Sequence, residues 1–159
     1  MSTVAEVRAA IAAAARAVPD FGQVHEYERY VRDEAKFKQL YTFTPSNGPL
    51  QLRGWWMRRV RTVERSPHIG RVINVHDWRM RGYMSLADAD ASELEFDRLI
   101  EAFRDAVRAD PTFGGVCIPG DQVDGDTQSG VQVEDLNPVL FCNVLCNSAV
   151  LSLKTWSYL

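Results

Sequence analysis

The sequence predicts an α+β fold, with an antiparallel or mixed sheet of about four strands flanked by two to three helices. Stripes of apolar residues at helical spacing and runs in which apolar and polar residues alternate follow the order helix, helix, strand, strand, helix, loop, strand, strand. The 159 residues suit a single domain, 1–159, with one core. No window approaches the roughly 18 to 20 apolar residues of a membrane span, and we expect neither a membrane partner nor a signal peptide.

The first third of the chain predicts two helices and a loop. Thr3 and Glu6 form a capping box ahead of the first helix, which ends at 19–22. Its thin apolar stripe consists of Val4, Val7, Ile11, Ala14 and Val18, with alanine between them. A second helix is expected at about 26–43, where aromatic and charged residues fit a helical period loosely, and a proline- and glycine-rich loop follows at 44–49.

A long antiparallel hairpin is expected from Leu52 to Met84, with its turn within 64–70. This segment carries a net charge of +6 in a chain whose total is −3, so the remaining residues together carry −9. Its charged residues are Arg53, Arg58, Arg59, Arg61, Arg65, Arg71, Arg79 and Arg81 against Glu64 and Asp77. Such an asymmetry within a small chain predicts a docking surface.

The second half begins with the clearest amphipathic helix. Ser92 and Glu95 are expected to form a second capping box, and the helix to end at 110–111. Its apolar stripe, predicted to lie buried against the sheet, is Phe96, Leu99, Ile100, Phe103 and Val107. A long loop at about 112–130 should be flexible in a free subunit, and a short strand near 131–134 and a longer one within 139–156 complete the sheet.

No arrangement of residues predicts catalysis, a metal or a cofactor, and we expect that the protein is not an enzyme. His25, His68 and His76 lack the spacing of metal ligands. Asp124-Gly125-Asp126 does not match a calcium-binding loop, because its glycine is misplaced and no glutamate closes it. The cysteines, Cys117, Cys142 and Cys146, are expected to be buried free thiols.

The arginine-rich hairpin has three possible roles. Arginines beside Trp55, Trp56 and Trp78 could grip phosphates and stack on bases, or could form a protein–protein contact. Alternatively, the arginines are merely solvated while the tryptophans fill the core. The acidic pI of 5.6 and the absence of lysine from the hairpin favour protein over nucleic acid. The candidate interface residues are Arg53, Arg58, Arg59, Arg61, Arg79 and Arg81, with Asp121, Asp124 and Asp126 as their acidic counterpart.

Several short motifs carry a family resemblance that spans most of the chain. An alanine-rich helix leads into Phe21-Gly22-Gln23-Val24-His25-Glu26-Tyr27-Glu28-Arg29, and a charged, aromatic segment runs to Phe37. Arg53-Gly54-Trp55 then opens the strand pair, and Val144-Leu145-Cys146-Asn147-Ser148-Ala149 introduces the last strand. This order resembles tail terminator proteins of tailed bacteriophages and the related minor tail or tail-completion proteins. The loop at 112–130 is outside the resemblance.

The resemblance implies a structural protein of the virion. Members of this family form a ring of six copies at the head-proximal end of the tail tube. The ring ends tube polymerisation and contacts the head–tail connector, and DNA passes through its hole without specific recognition. The expected partners are therefore other copies of the chain, the tail tube protein and the connector protein, with assembly in the bacterial cytoplasm. The alternative from another class is a small cytosolic enzyme or ligand-binding domain with a pocket near His76 and Trp78.

Overall fold

The computed structural model describes residues 1–120 and 129–159. The candidate residues Asp121, Asp124 and Asp126, and the central part of the predicted flexible loop, lie outside the described residues. The helices are α1 (Val4–Arg16), α2 (Glu34–Gln39) and α3 (Ser92–Ala109), with a short 3₁₀ turn at Asp88–Asp90. The strands are β1 (Gln23–His25), β2 (Thr42–Phe43), β3 (Gln51–His68), β4 (Arg71–Ser85), β5 (Gln132–Phe141) and β6 (Val144–Tyr158).

The described strands form a mixed sheet of the order β1-β3-β4-β6-β5, and β2 pairs with the start of β3. Only β1 is parallel to its neighbour, β3, and the other pairs are antiparallel. The predicted α+β class is confirmed, with six strands in the described residues rather than about four.

The first helix is confirmed, including its capping box. The backbone N–H of Thr3 donates to Glu6 over 2.7 Å, and the N–H of Glu6 donates to the Thr3 hydroxyl over 3.2 Å. The helix predicted at 26–43 is wrong at both ends, because α2 begins only at Glu34, after the cap Asp33, and Thr42–Phe43 forms the strand β2. The aromatic residues that suggested the longer helix include Tyr27 and Tyr30, which are exposed, so their spacing does not mark a buried face.

The long hairpin is confirmed as β3 and β4, joined by a turn shorter than expected, at Ile69 and Gly70. Gly70 adopts a φ of +81°, a conformation that glycine takes without strain. The two halves of β3 differ in burial. Residues 52–57 are buried, whereas from Arg58 to His68 nearly every side chain is exposed. We call residues 58–72 the hairpin arm.

The helix α3 has the predicted buried stripe, and it ends at Ala109 as expected. The predicted capping box at its start is wrong. The cap is Ala91, in a left-handed conformation, and Ser92 is already helical. The hydroxyl of Ser92 instead accepts from the backbone N–H of Ala87 over 2.9 Å, which braces the preceding turn rather than the helix.

A second hairpin, β5 and β6, completes the sheet. β5 is longer than the predicted short strand, and Pro138 lies within it. Proline is tolerated there because β5 is an edge strand that pairs only with β6 among the described strands. The two-residue turn is Cys142-Asn143, with positive φ at both residues, as in a type I′ turn.

The two faces of the sheet are covered differently. On one face, α1 and α3 pack over the main core, in which Trp55, Trp78, Leu151 and the α3 stripe are buried. The other face has a smaller apolar cluster at each end, one around Tyr41 and Tyr83 and the other around Ile73, Val75 and Trp156. Between these clusters the described residues leave this face open, and it bears charged side chains.

Candidate interaction surface

The open face of the sheet carries a continuous groove. Two cavities of about 360 and 500 Å³ share Val60, Arg79 and Glu134 in their linings. We call this the charged groove. By strand register, Arg58 lies opposite Arg79, and Trp56 opposite Arg81, so these side chains share the open face.

The structure brings four of the six candidate arginines together along the charged groove. Arg58, Arg79 and Arg81 line one cavity, and Arg61 and Arg79 line the other. Arg58 forms an ion pair with Glu28 and lies over the Trp56 ring, with 5.3 Å from Cζ to the ring centroid. Arg61 is 4.0 Å from Asp77, and Arg81 lies over the Tyr83 ring. These pairings are partly exposed, so their contribution to stability is small.

The remaining two candidate arginines lie elsewhere. Arg59 is exposed and lies in register with Trp78, which places it on the other side of the hairpin. Arg53 is only 4% exposed, and its guanidinium donates to the backbone carbonyl of Asp20 over 2.8 Å. Burial lowers the pKa of Arg53. Arg53 therefore connects β3 to the turn after α1 and is not part of the exposed surface.

Acidic residues of the same subunit also line the charged groove. Glu134 and Asp135 lie on β5, which is separated from the β3–β4 hairpin by β6, and both line the charged groove. Part of the hairpin's positive charge is therefore balanced within one copy. The hairpin arm, with five arginines and one glutamate, keeps a net charge of +4.

The tryptophans do not form a platform for bases. Trp55 and Trp78 are fully buried on the helix side of the sheet, and their ring N–H groups donate to Phe21 and Thr155. Trp56 faces the charged groove but is 8% exposed and is covered by Arg58. Stacking of nucleic-acid bases needs exposed ring faces, which these three residues do not offer.

The histidine of the alternative hypothesis lies outside the charged groove. Trp78 contributes to one of its cavities, whereas His76 does not. His76 is buried, with its Nδ1 2.9 Å from the Thr62 hydroxyl, and burial lowers its pKa.

The described thiols and carboxylates also lack the features of a reactive site. Burial raises the pKa of the Cys117 thiol to about 12, which makes a thiolate unfavourable. All three cysteines are free thiols, as expected, and Cys117 and Cys146 are buried. Cys142 is only partly buried, because it lies in the turn between β5 and β6. Within residues 1–120 and 129–159, no three His, Cys, Asp or Glu side chains are grouped to hold a metal ion.

A second surface was missed from the sequence. Residues 86–97 contain five acidic and no basic residues, a net charge of −5, and counting charges in short windows would have found it. Its exposed acids are Asp88, Asp90, Glu93 and Asp97. Beside them is a cavity of about 150 Å³ lined in part by Leu86, Phe96, Leu136 and Pro138. We call this cavity, with its acidic rim, the leucine groove.

The leucine groove continues into an exposed apolar strip. Leu140 and Leu145 lie opposite each other in the β5–β6 ladder, and both are more than half exposed. The backbone N–H of Leu86 donates to the carbonyl of Leu145 over 2.9 Å, which joins the strip to the groove. Adjacent exposed leucines form an apolar patch, which makes this strip a candidate interaction site.

Comparison with the models of known protein families and with curated proteins finds no match to this chain. None of the helices in the described residues is both long and apolar enough to span a membrane. The described surface presents two candidate interaction sites of opposite charge, the basic hairpin arm and the leucine groove with its acidic rim.

Proposed function

We propose that this chain is a structural protein of a tailed-bacteriophage virion, a tail terminator that forms a ring at the head-proximal end of the tail tube. The ring, of six copies by the family resemblance, ends tube polymerisation and contacts the head–tail connector. DNA passes through its hole without base-specific contacts. The protein acts by assembly and not by catalysis, and its place is in the virion after assembly in the host cytoplasm.

The observation that carries this proposal is the hairpin arm. From Arg58 onward β3 continues for a further eleven residues, up to His68, with nearly every side chain exposed. This half of β3 pairs only with β4 among the described strands, and β4 is held on its other side by β6 from Ile73 onward. It is therefore a long edge strand, and an uncovered edge is a ready site for another chain to dock. Its length and its charge are more readily explained if another molecule covers it. Oppositely charged surfaces on one subunit suit a ring, because a head-to-tail contact joins two different patches.

The architecture also supports the proposal. The resemblance implies an α/β subunit whose mixed or antiparallel sheet has helices at its side, and α1 and α3 pack on one face of a mixed sheet. The opposite face presents the charged groove, which offers Arg58, Arg79 and Arg81 beside Glu134. Such mixed charge favours a specific register between protein partners over tight nonspecific binding.

The proposal is tested by mass, shape and activity on tubes. Light scattering after size exclusion should give a closed oligomer near six times the 18.0 kDa subunit, and negative-stain electron microscopy should show a ring with a central hole. Added to polymerising tail tube protein from the same phage, the oligomer should cap the tubes and shorten them. A strict monomer that leaves tube length unchanged would refute the proposal.

A further inference from the structure

We propose that the tip of the hairpin arm of one copy docks in the leucine groove of a second copy. This inference rests on the proposed ring and adds to it the two surfaces that meet. The tip presents Ile69, an apolar side chain that is fully exposed at the turn between β3 and β4. The occupant of the groove is therefore a defined segment of another copy of the same chain.

Charge complementarity supports this pairing. The hairpin arm carries +4, and the segment 86–97 beside the groove carries −5. The exposed acids Asp88, Asp90, Glu93 and Asp97 form no ion pair with another described residue, whereas Glu95 is bound by Arg98. A basic arm approaching this rim would be attracted over a distance of about one Debye length, roughly 8 to 10 Å.

Apolar complementarity gives the contact an anchor. Ile69 is fully exposed, so no apolar side chain among the described residues covers it. The groove offers Leu86, Phe96 and Leu136 within a cavity of about 150 Å³, and Leu140 and Leu145 extend it. An apolar centre surrounded by a polar rim is the usual organisation of a protein–protein contact.

The geometry requires two copies. The tip lies before Arg71, the first residue of β4, and the groove lies after Ser85, its last residue. The strand between them spans roughly 45 Å at about 3.3 Å per residue, so the tip cannot reach the groove of its own subunit. A contact between two different surfaces is head-to-tail, and it closes into a ring when the rotation between copies permits.

The first experiment uses a pair of complementary variants. Ile69→Asp removes the apolar tip and leaves the groove intact, while Leu140→Asp places a charge in the groove surface and leaves the tip intact. Each variant alone should self-associate at least tenfold more weakly than the wild type in sedimentation velocity. Mixed together they should form a dimer of twice the 18.0 kDa mass and no larger species, since one intact tip and one intact groove remain. Tyr27→Asp, at an aromatic residue that is 55% exposed and lies at neither the tip nor the leucine groove, is the control and should assemble normally.

A disulfide trap then identifies the contact. In a Cys142→Ser background, which removes the only partly exposed cysteine, Ile69→Cys and Leu136→Cys are prepared as separate proteins. Oxidation of the mixture should yield a cross-linked heterodimer that neither protein gives alone. Wild-type assembly without this cross-link, or with both Asp variants assembling normally, overturns the docking and leaves the proposed ring intact. Cross-linking and assembly without any effect on tail tubes overturn the tail-terminator function and leave the docking intact. A wild-type chain that stays monomeric at every concentration overturns both.

Discussion

The inner and outer halves of β3 are one continuous strand in two different environments. In the inner half, Trp55 stacks on Phe21 with 4.4 Å between ring centroids and packs beside Phe96. In the outer half, from Arg58 to His68, the strand pairs with β4 but has little cover on either face. Alternating residue types are present in both halves, yet only the inner half is held by a core. Alternation therefore predicts a strand without predicting that the strand is buried.

The largest expected loss of stability comes from a substitution in the core that covers the inner half of β3. Leu99→Ala removes a fully buried side chain of α3 and should lower the free energy of unfolding by about 2 to 5 kcal/mol in urea denaturation. Leu94→Ala, on the same helix but 70% exposed, is the matched control and should cost far less. Hydrogen exchange showing that α3 is unprotected would contradict the assignment of this core.

A smaller loss of stability is expected where β4 approaches the inner half of β3 closely. A Cβ atom at Gly82 would lie 2.2 Å from the Trp55 ring, so Gly82→Ala should destabilise the fold by about 1 to 3 kcal/mol through overpacking. Combining it with Trp55→Phe should make the added cost of the alanine smaller, because the shorter ring leaves space. Equal costs in the two backgrounds, measured by thermal unfolding, would show that the clash is not with Trp55.

The part of β4 that pairs with the outer half should give a pH dependence. His76 is buried beside Thr62, and burial lowers its pKa from the usual 6.5 in the folded state. As the pH falls below about 6.5, the unfolded chain gains a proton that the folded chain resists, so stability should fall, by roughly 1.4 kcal/mol per unit of pKa difference. His76→Gln should flatten the slope of unfolding free energy between pH 7 and 5. His25, whose pKa is also lowered by burial, leaves a residual slope. An unchanged slope would exclude His76 as its source.

The smallest effect on stability is expected in the outer half. Reversing Arg59 and Arg61 to glutamate should change the free energy of unfolding by no more than about 0.5 kcal/mol, because both side chains are exposed. Self-association or docking to the tail tube should nevertheless weaken. Arg32→Glu with Lys36→Glu, at exposed cations outside the hairpin, makes the same change of charge as a control. Assembly that is unaffected by the hairpin variant, and by salt, would refute the role of these arginines.

Elements whose signals are local were predictable from the sequence. The capping box of Thr3 and the stripe containing Leu99 depend on neighbours three or four residues away, and both are confirmed. The helix predicted at 26–43 failed because Tyr27 and Tyr30 are exposed, and burial is decided by the whole fold. The β5–β6 hairpin was underestimated because Pro138 and the glycine-free turn Cys142-Asn143 lack the usual signals of a strand and a turn.

The candidate site was only partly predictable, for a similar reason. The hairpin arginines were visible as a concentration of charge, but only the register of β3 and β4 separates Arg58, Arg79 and Arg81, on the open face, from the buried Arg53. The leucine groove combines residues from three separated segments, represented by Leu86, Phe96 and Leu136. Sequence analysis has no direct signal for such a combination, although the net charge of −5 in 86–97 was available to it.

The edge of β3 beyond Trp56 has a consequence for the subunit before it assembles. No described strand pairs with this edge, and an uncovered edge is a template on which other chains can add and precipitate. Two features oppose this. The bulge between Arg59 and Arg61 interrupts a regular hydrogen-bonding row, and a second copy pairing with its own β3 would set arginine against arginine. The same positive charge can thus prevent newly made chains from pairing edge to edge. It leaves them free to bind an acidic surface.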